Sequence, residues 1–110
     1  PTSRKRLLEL LKKVAAPGML LISGDRHIGE ISRYDSLGRN IPLYEITSSG
    51  LTHSYNGIPT ESNRLRIGKI IHQKNFGLIE IDWTNNSVEI SMQVRNEENA
   101  IMTAAKLRLN

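Results

Sequence analysis

Apolar residues recur at three- and four-residue spacing through Leu7, Leu8, Leu10, Leu11, Val14 and Ala15, while Glu9, Lys12 and Lys13 fall on the other side. This is the stripe of an amphipathic helix, and Pro17-Gly18 ends it. Thr2 or Ser3 is placed to cap its start, but Arg4, Lys5 and Arg6 then occupy the first turn, where the helix dipole disfavours cations. Either the helix begins further upstream or something anionic lies near its start. The pattern then changes to an unbroken apolar run, "MLLIS" from Met19 to Ser23, which suits a strand covered on both faces, as in the central sheet of an α/β layer. Ile28 to Tyr34 and Ile41 to Thr47 flank "DSLGRN", whose Asp, Gly and Asn favour a turn. These predict a β-hairpin with a loop of about four to six residues. Thr47 to Asn63 is rich in Ser, Thr, Gly, Asn and Pro, and reads as a long ordered loop. A loop of that length inside a domain is uncommon unless it serves a site.

From Phe76 the period becomes two. Ile79, Ile81 and Trp83 share one face, then Val88, Ile90, Met92 and Val94, then Ile101, Thr103, Ala105, Leu107 and Leu109. Alternation over three runs separated by polar turns predicts a three-strand antiparallel meander, half buried and half wet.

At 110 residues the chain, 1–110, is expected to be a single domain or one lobe of a larger one. It begins in helix and without methionine, so a segment of a longer protein is expected. With no cysteine, any metal must be held by His, carboxylate, Asn or backbone oxygen. No apolar run approaches the roughly 18 residues that a membrane-spanning helix needs. Fifteen Lys and Arg against 11 Asp and Glu attract anions in general. Arg4, Lys5, Arg6, Lys12 and Lys13, with Arg64, Arg66, Lys69 and Lys74, are enough to track nucleic-acid phosphates. The few aromatic residues are not interleaved with them as a stacking platform requires, so a solvated face is the plainer account.

The candidate chemistry follows the apolar run. Gly24 closes the predicted strand, and in open α/β sheets the carboxyl ends of strands are where ligands bind. If Asp25 and His27 continue in extended geometry, their side chains leave on the same side and can converge on one metal ion. Arg26 then points elsewhere, to bind a phosphate oxygen or a neighbouring carboxylate. The bland alternative is an Asp–Arg turn with a partly exposed histidine. His53 lies in "SSGLTHS", where hydroxyls and backbone N–H groups can cradle an oxyanion, or where the histidine simply bonds within its own loop. No Ser-His-Asp order, Walker loop or Gly-x-Ser-x-Gly elbow is present.

Four blocks in order, "LLISGDRHIGEISRY", "IPLYEITSSGLTHS", "NRLRIG" and "NFGLIEIDW", resemble the carboxyl-terminal part of PhoD-type alkaline phosphatases and phosphodiesterases, members of the calcineurin-like metallophosphatase superfamily. The resemblance implies an α/β fold in which the N-terminal helix, buried central strand, hairpin and meander form part of a layered αββα sandwich. It implies hydrolysis of phosphate mono- or diesters at a centre of two divalent or trivalent ions, from among Fe, Ca, Zn, Mn and Mg, that clamp the phosphoryl group and activate water. In the superfamily the matching late motif is Gly-His-x-His, and here Gly24-Asp25-Arg26-His27 stands in its place. His27 thus carries over as a metal ligand, and Asp25 as a second ligand or as the partner that orients His27. Arg26 and His53 are the expected substrate-binding groups on their own residue types and surroundings, not by that motif. The early Asp and Asn-His motifs of the superfamily have no counterpart here. This chain is therefore expected to be the C-terminal lobe of such an enzyme, with the N-terminal remainder of the same polypeptide as its partner, inactive alone, and exported as family members often are. The competing expectation is a non-catalytic module that binds phosphate-bearing ligands or nucleic acid on a phosphatase-derived sheet.

Overall fold

The computed structural model describes residues 2–14, 16–37, 42–54, 62–84 and 86–109. Among them the elements are α1 (Thr2–Val14), β1 (Leu20–Ser23), β2 (Gly29–Tyr34), β3 (Leu43–Ser48), β4 (Arg66–Ile71), β5 (Asn75–Asp82), β6 (Val88–Asn96) and β7 (Ile101–Leu109). The expected meander is present as β5-β6-β7, fully antiparallel, with Ile79 opposite Met92 and Ile90 opposite Leu107. Its inward phase holds Ile90, Met92, Val94, Thr103 and Leu107, all buried. The expected hairpin is present as β2 and β3, in register from Tyr34 opposite Leu43 to Gly29 opposite Ser48. The tip of its turn, residues 38–41, and residues 55–61 of the long loop lie outside the described residues.

These strands make two sheets. The first is ordered β1-β3-β2-β4 and the second β5-β6-β7. They stack face to face, β4 against β7, β3 against β5, and β2 against all three strands of the meander. Ile31, Tyr44, Ile46 and Ile71 of the first sheet meet Ile90, Met92, Val94 and Leu107 of the second, and this is the core. On the other face of the first sheet, Leu7 and Leu8 of α1 share a cleft with Leu21, Leu43 and Leu65. The fold is thus a mixed helix and sheet arrangement, with one helix and two sheets.

One expectation is overturned. The apolar run is not a buried central strand: β1 is an edge strand, parallel to β3, and Ile22 is 72% exposed. The first sheet is one strand wider than the second, and β5 lies against β3, so β1 overhangs the meander. Similarly, α1 forms as expected but covers its stripe only in part. Leu8 and Leu11 are half-buried, whereas Leu7, Leu10 and Val14 are exposed. Ile81 and Trp83, at the end of β5, are exposed too.

One strand was not foreseen. β4 carries Gly68 at φ 70°, a left-handed residue that breaks the alternation, and its pairing with β2 shifts register between Gly29 and Ile31. Such a bulge hides a strand from a period-two reading. A Cβ at Gly68 would stand 2.9 Å from Thr103 Oγ1, so the close approach of β7 also requires glycine.

Met92 is completely buried between the sheets. Its replacement by Ala should cost about 2–5 kcal/mol, whereas Ile22→Ala should stay within about 0.5 kcal/mol. Urea denaturation of the two variants checks both values.

Candidate functional site

β1 and β3 run parallel and side by side, so their carboxyl ends lie at one edge and the two following loops leave the sheet together. The first loop is Gly24–Ile28, and the described part of the second is Ser49–Ser54. They are laced to each other: the His27 N–H donates to Ser49 Oγ (2.9 Å), and the Ser49 N–H donates to the Ile28 carbonyl (3.1 Å). Below them, Ser23 Oγ lies 2.7 Å from Thr47 Oγ1 and donates to Glu45 (2.8 Å), which ties the ends of the two strands.

This lacing brings together the two histidines singled out in the sequence. The rings of His27 and His53 meet edge to face, with centroids 4.1 Å apart and planes at 79°. His53 Nδ1 lies 3.2 Å from the Thr52 hydroxyl, which fixes the orientation of its ring. His27 is half-buried, while Asp25 and His53 are exposed.

The geometry expected for Asp25 and His27 does not hold. β1 stops at Ser23, and Asp25 (φ 71°) and His27 (φ 55°) both take left-handed backbone within a bend. The alternation that would have sent both side chains to one side belongs to extended chain and does not apply here. The partner that the fold gives His27 is His53. A non-glycine residue with left-handed backbone costs up to about 1–2 kcal/mol, less for Asp and His, which enter this region more readily than most side chains.

Arg26, between them, reaches a carboxylate. Its guanidinium lies 3.5 Å from Glu30, and the other oxygen of Glu30 accepts from Arg66 Nε at 2.7 Å. Glu30 is 7% exposed, so the turn is moored to a buried charge shared with β4. The Arg26 side chain itself remains 45% exposed.

Three residues that sequence reasoning did not single out shape this edge: Glu30, Ser49 and Asn75. Asn75 is buried, accepts from Ser48 Oγ (2.8 Å), donates from Nδ2 to the Gln73 carbonyl (2.9 Å), and donates its N–H to the Gly50 carbonyl (3.0 Å). The signal that would have found it is phase. Asn75 shares the inward face of β5 with Gly77 and Ile79, and a polar residue there needs partners.

Two imidazoles in contact are a suitable donor pair for a borderline metal ion, but they are only part of a ligand set. Among the described residues no group of three or more His, Asp or Glu is placed to hold a metal. A metal at this edge would draw its remaining ligands from elsewhere.

Asp25→Gly should leave stability within about 1 kcal/mol, because glycine accepts the left-handed backbone, whereas Asp25→Val should cost about 1–2 kcal/mol more than that. Thermal denaturation of the pair checks the turn geometry. Glu30→Ala, which removes the buried carboxylate that Arg26 and Arg66 share, should cost about 1.5–3 kcal/mol by urea denaturation. Compared with protein-family models, with curated proteins and with solved structures, the chain matches none.

Proposed function

We propose that the chain is the C-terminal lobe of a metal-dependent phosphoesterase acting on phosphate mono- or diesters, and that the edge built by the two loops is its share of the active site. The observation that carries this reading is the contact of His27 with His53 at the carboxyl ends of adjacent parallel strands. Ligands of α/β sheets gather at that edge, and imidazole suits both a metal ion and a phosphoryl oxygen. In support, the helix and the two stacked sheets agree with three layers of an αββα sandwich, and this reading assigns the fourth layer and the early ligand motifs to the N-terminal remainder.

In this reading His27 is a metal ligand, its loop fixed by the bond to Ser49. Asp25, exposed in the same left-handed turn, is a second ligand or orients the first. His53 Nδ1 lies 3.2 Å from the Thr52 hydroxyl, and in the tautomer that accepts there the Nε2–H is left to donate to a phosphate oxygen. Arg26 is held by Glu30 so that its exposed guanidinium meets the substrate's negative charge. The chemistry that two bound metal ions supply in such a centre is charge neutralisation on the phosphate and activation of water.

The test is hydrolysis of nitrophenyl phosphate and its bis-ester by the full-length natural polypeptide. Chelation should abolish activity, and His27→Ala should reduce it by at least about 100-fold. Activity indifferent to both would overturn the reading; metal-independent binding of phosphate esters without turnover would favour a non-catalytic module instead.

A further inference from the structure

We propose that Asn75, the first residue of β5, is the positioning residue of the His27–His53 pair and anchors both histidine loops to the second sheet. This rests on reading that pair as the functional site. Asn75 is 2% exposed, and its amide is used on both sides: Oδ1 accepts from Ser48, and Nδ2 donates to the Gln73 carbonyl. Its backbone N–H donates to Gly50. Ser48 and Gly50 are therefore both held by one residue, and the residue between them is Ser49, whose hydroxyl takes the His27 N–H. A line of hydrogen bonds thus runs from the second sheet through the His53 loop to the backbone of His27.

The same amide limits what may stand around it. A Cβ on Gly50 would come within 2.4 Å of Asn75 Nδ2, and a Cβ on Gly29 would come within 3.0 Å of Asn75 Oδ1 and 2.6 Å of Val94 Cγ1. Gly29 opens β2 just beyond His27, and Gly50 lies shortly before His53, so each histidine loop carries a glycine packed on the asparagine. The site requires an acceptor on one side and a donor on the other in a single plane, which is what an amide offers. An aspartate would set oxygen against the Gln73 carbonyl, and a leucine would leave the Ser48 hydroxyl without its acceptor.

The experiment is NMR on the labelled chain, following the nuclear Overhauser contacts between the imidazole protons of His27 and His53. In Asn75→Ala these contacts should disappear, while methyl shifts of Ile90 and Leu107, elsewhere in the core, stay in place. Thr103→Val serves as control, because it removes a different buried hydrogen bond, to the Ile67 carbonyl, and should leave the histidine contacts intact. Contacts that survive in a folded Asn75→Ala, or that are lost equally in Thr103→Val, overturn the proposal. Should Asn75→Ala fail to fold, Ser48→Ala decides by the same readout: weakened contacts support the anchor, and unchanged contacts overturn it. None of these measurements requires metal or substrate, so their failure and a failed hydrolysis assay are separate results.

Discussion

Four residue pairs, from Leu20 opposite Tyr44 to Ser23 opposite Thr47, join β1 to β3 in parallel, and with the antiparallel register of β2 on β3, which sets Gly29 opposite Ser48, they shape the candidate site. Had β1 met its neighbour antiparallel, its loop would leave the sheet at the far end from Ser49. Parallel pairing instead ends β1 at the edge where β3 ends, and the β2–β3 ladder, continued by the Ser49 N–H to the Ile28 carbonyl, joins the two loops there and brings His27 against His53. The hydroxyls of Ser23 and Thr47, 2.7 Å apart at the last pair, keep the strand ends from splaying. A parallel pair needs a long connection, and here β2 lies within it, on the opposite side of β3.

The first two residues of β2 then serve two different moorings. Side chains alternate across a strand, so Gly29 and Glu30 address opposite faces. Against Gly29 lie Asn75 and Val94, which belong to the second sheet. Glu30, on the other face, binds Arg26 of the preceding turn and Arg66 of β4. The turn containing Asp25 and His27 is therefore gripped from both sides of the sheet, by a neutral amide on one and by a buried carboxylate on the other. The two grips differ in kind. A buried carboxylate is tolerable only because guanidinium groups offset its desolvation, whereas the amide needs only matched donors and acceptors.

The meander was legible in the sequence because a sheet with one dry face writes a period of two, and Ile90, Met92 and Val94 keep that phase without interruption. The hairpin was legible because its turn residues separate two such runs. β1 was misread for a physical reason: a continuous apolar run records a need for cover, not its presence, and Ile22 has little. β4 escaped notice because Gly68 interrupts its phase. His27 and His53 could each be singled out from local surroundings, but their meeting depends on the residue-by-residue register of the hairpin and on the path of the loop after β3, which no local pattern carries. Asn75 and Glu30 were invisible for the same reason, since their partners come from other elements.

The turn after β1 is left-handed at two of its residues. At Gly18 and Gly68 the chain meets a positive φ with glycine, the residue that bears it at least cost. At Asp25 and His27 it meets the same demand with side chains that carry a charge or a ring, at a cost of up to about 1–2 kcal/mol per position, less for Asp and His. Strain of this kind persists only where the surroundings over-determine the backbone, and here they do: Ser49 holds the His27 N–H, and Glu30 holds Arg26. Residues other than glycine also take left-handed backbone at Asn86 and Asn99, in the connections of the meander, so what distinguishes the turn after β1 is what it displays: a carboxylate and an imidazole beside a second imidazole, at the ends of β1 and β3.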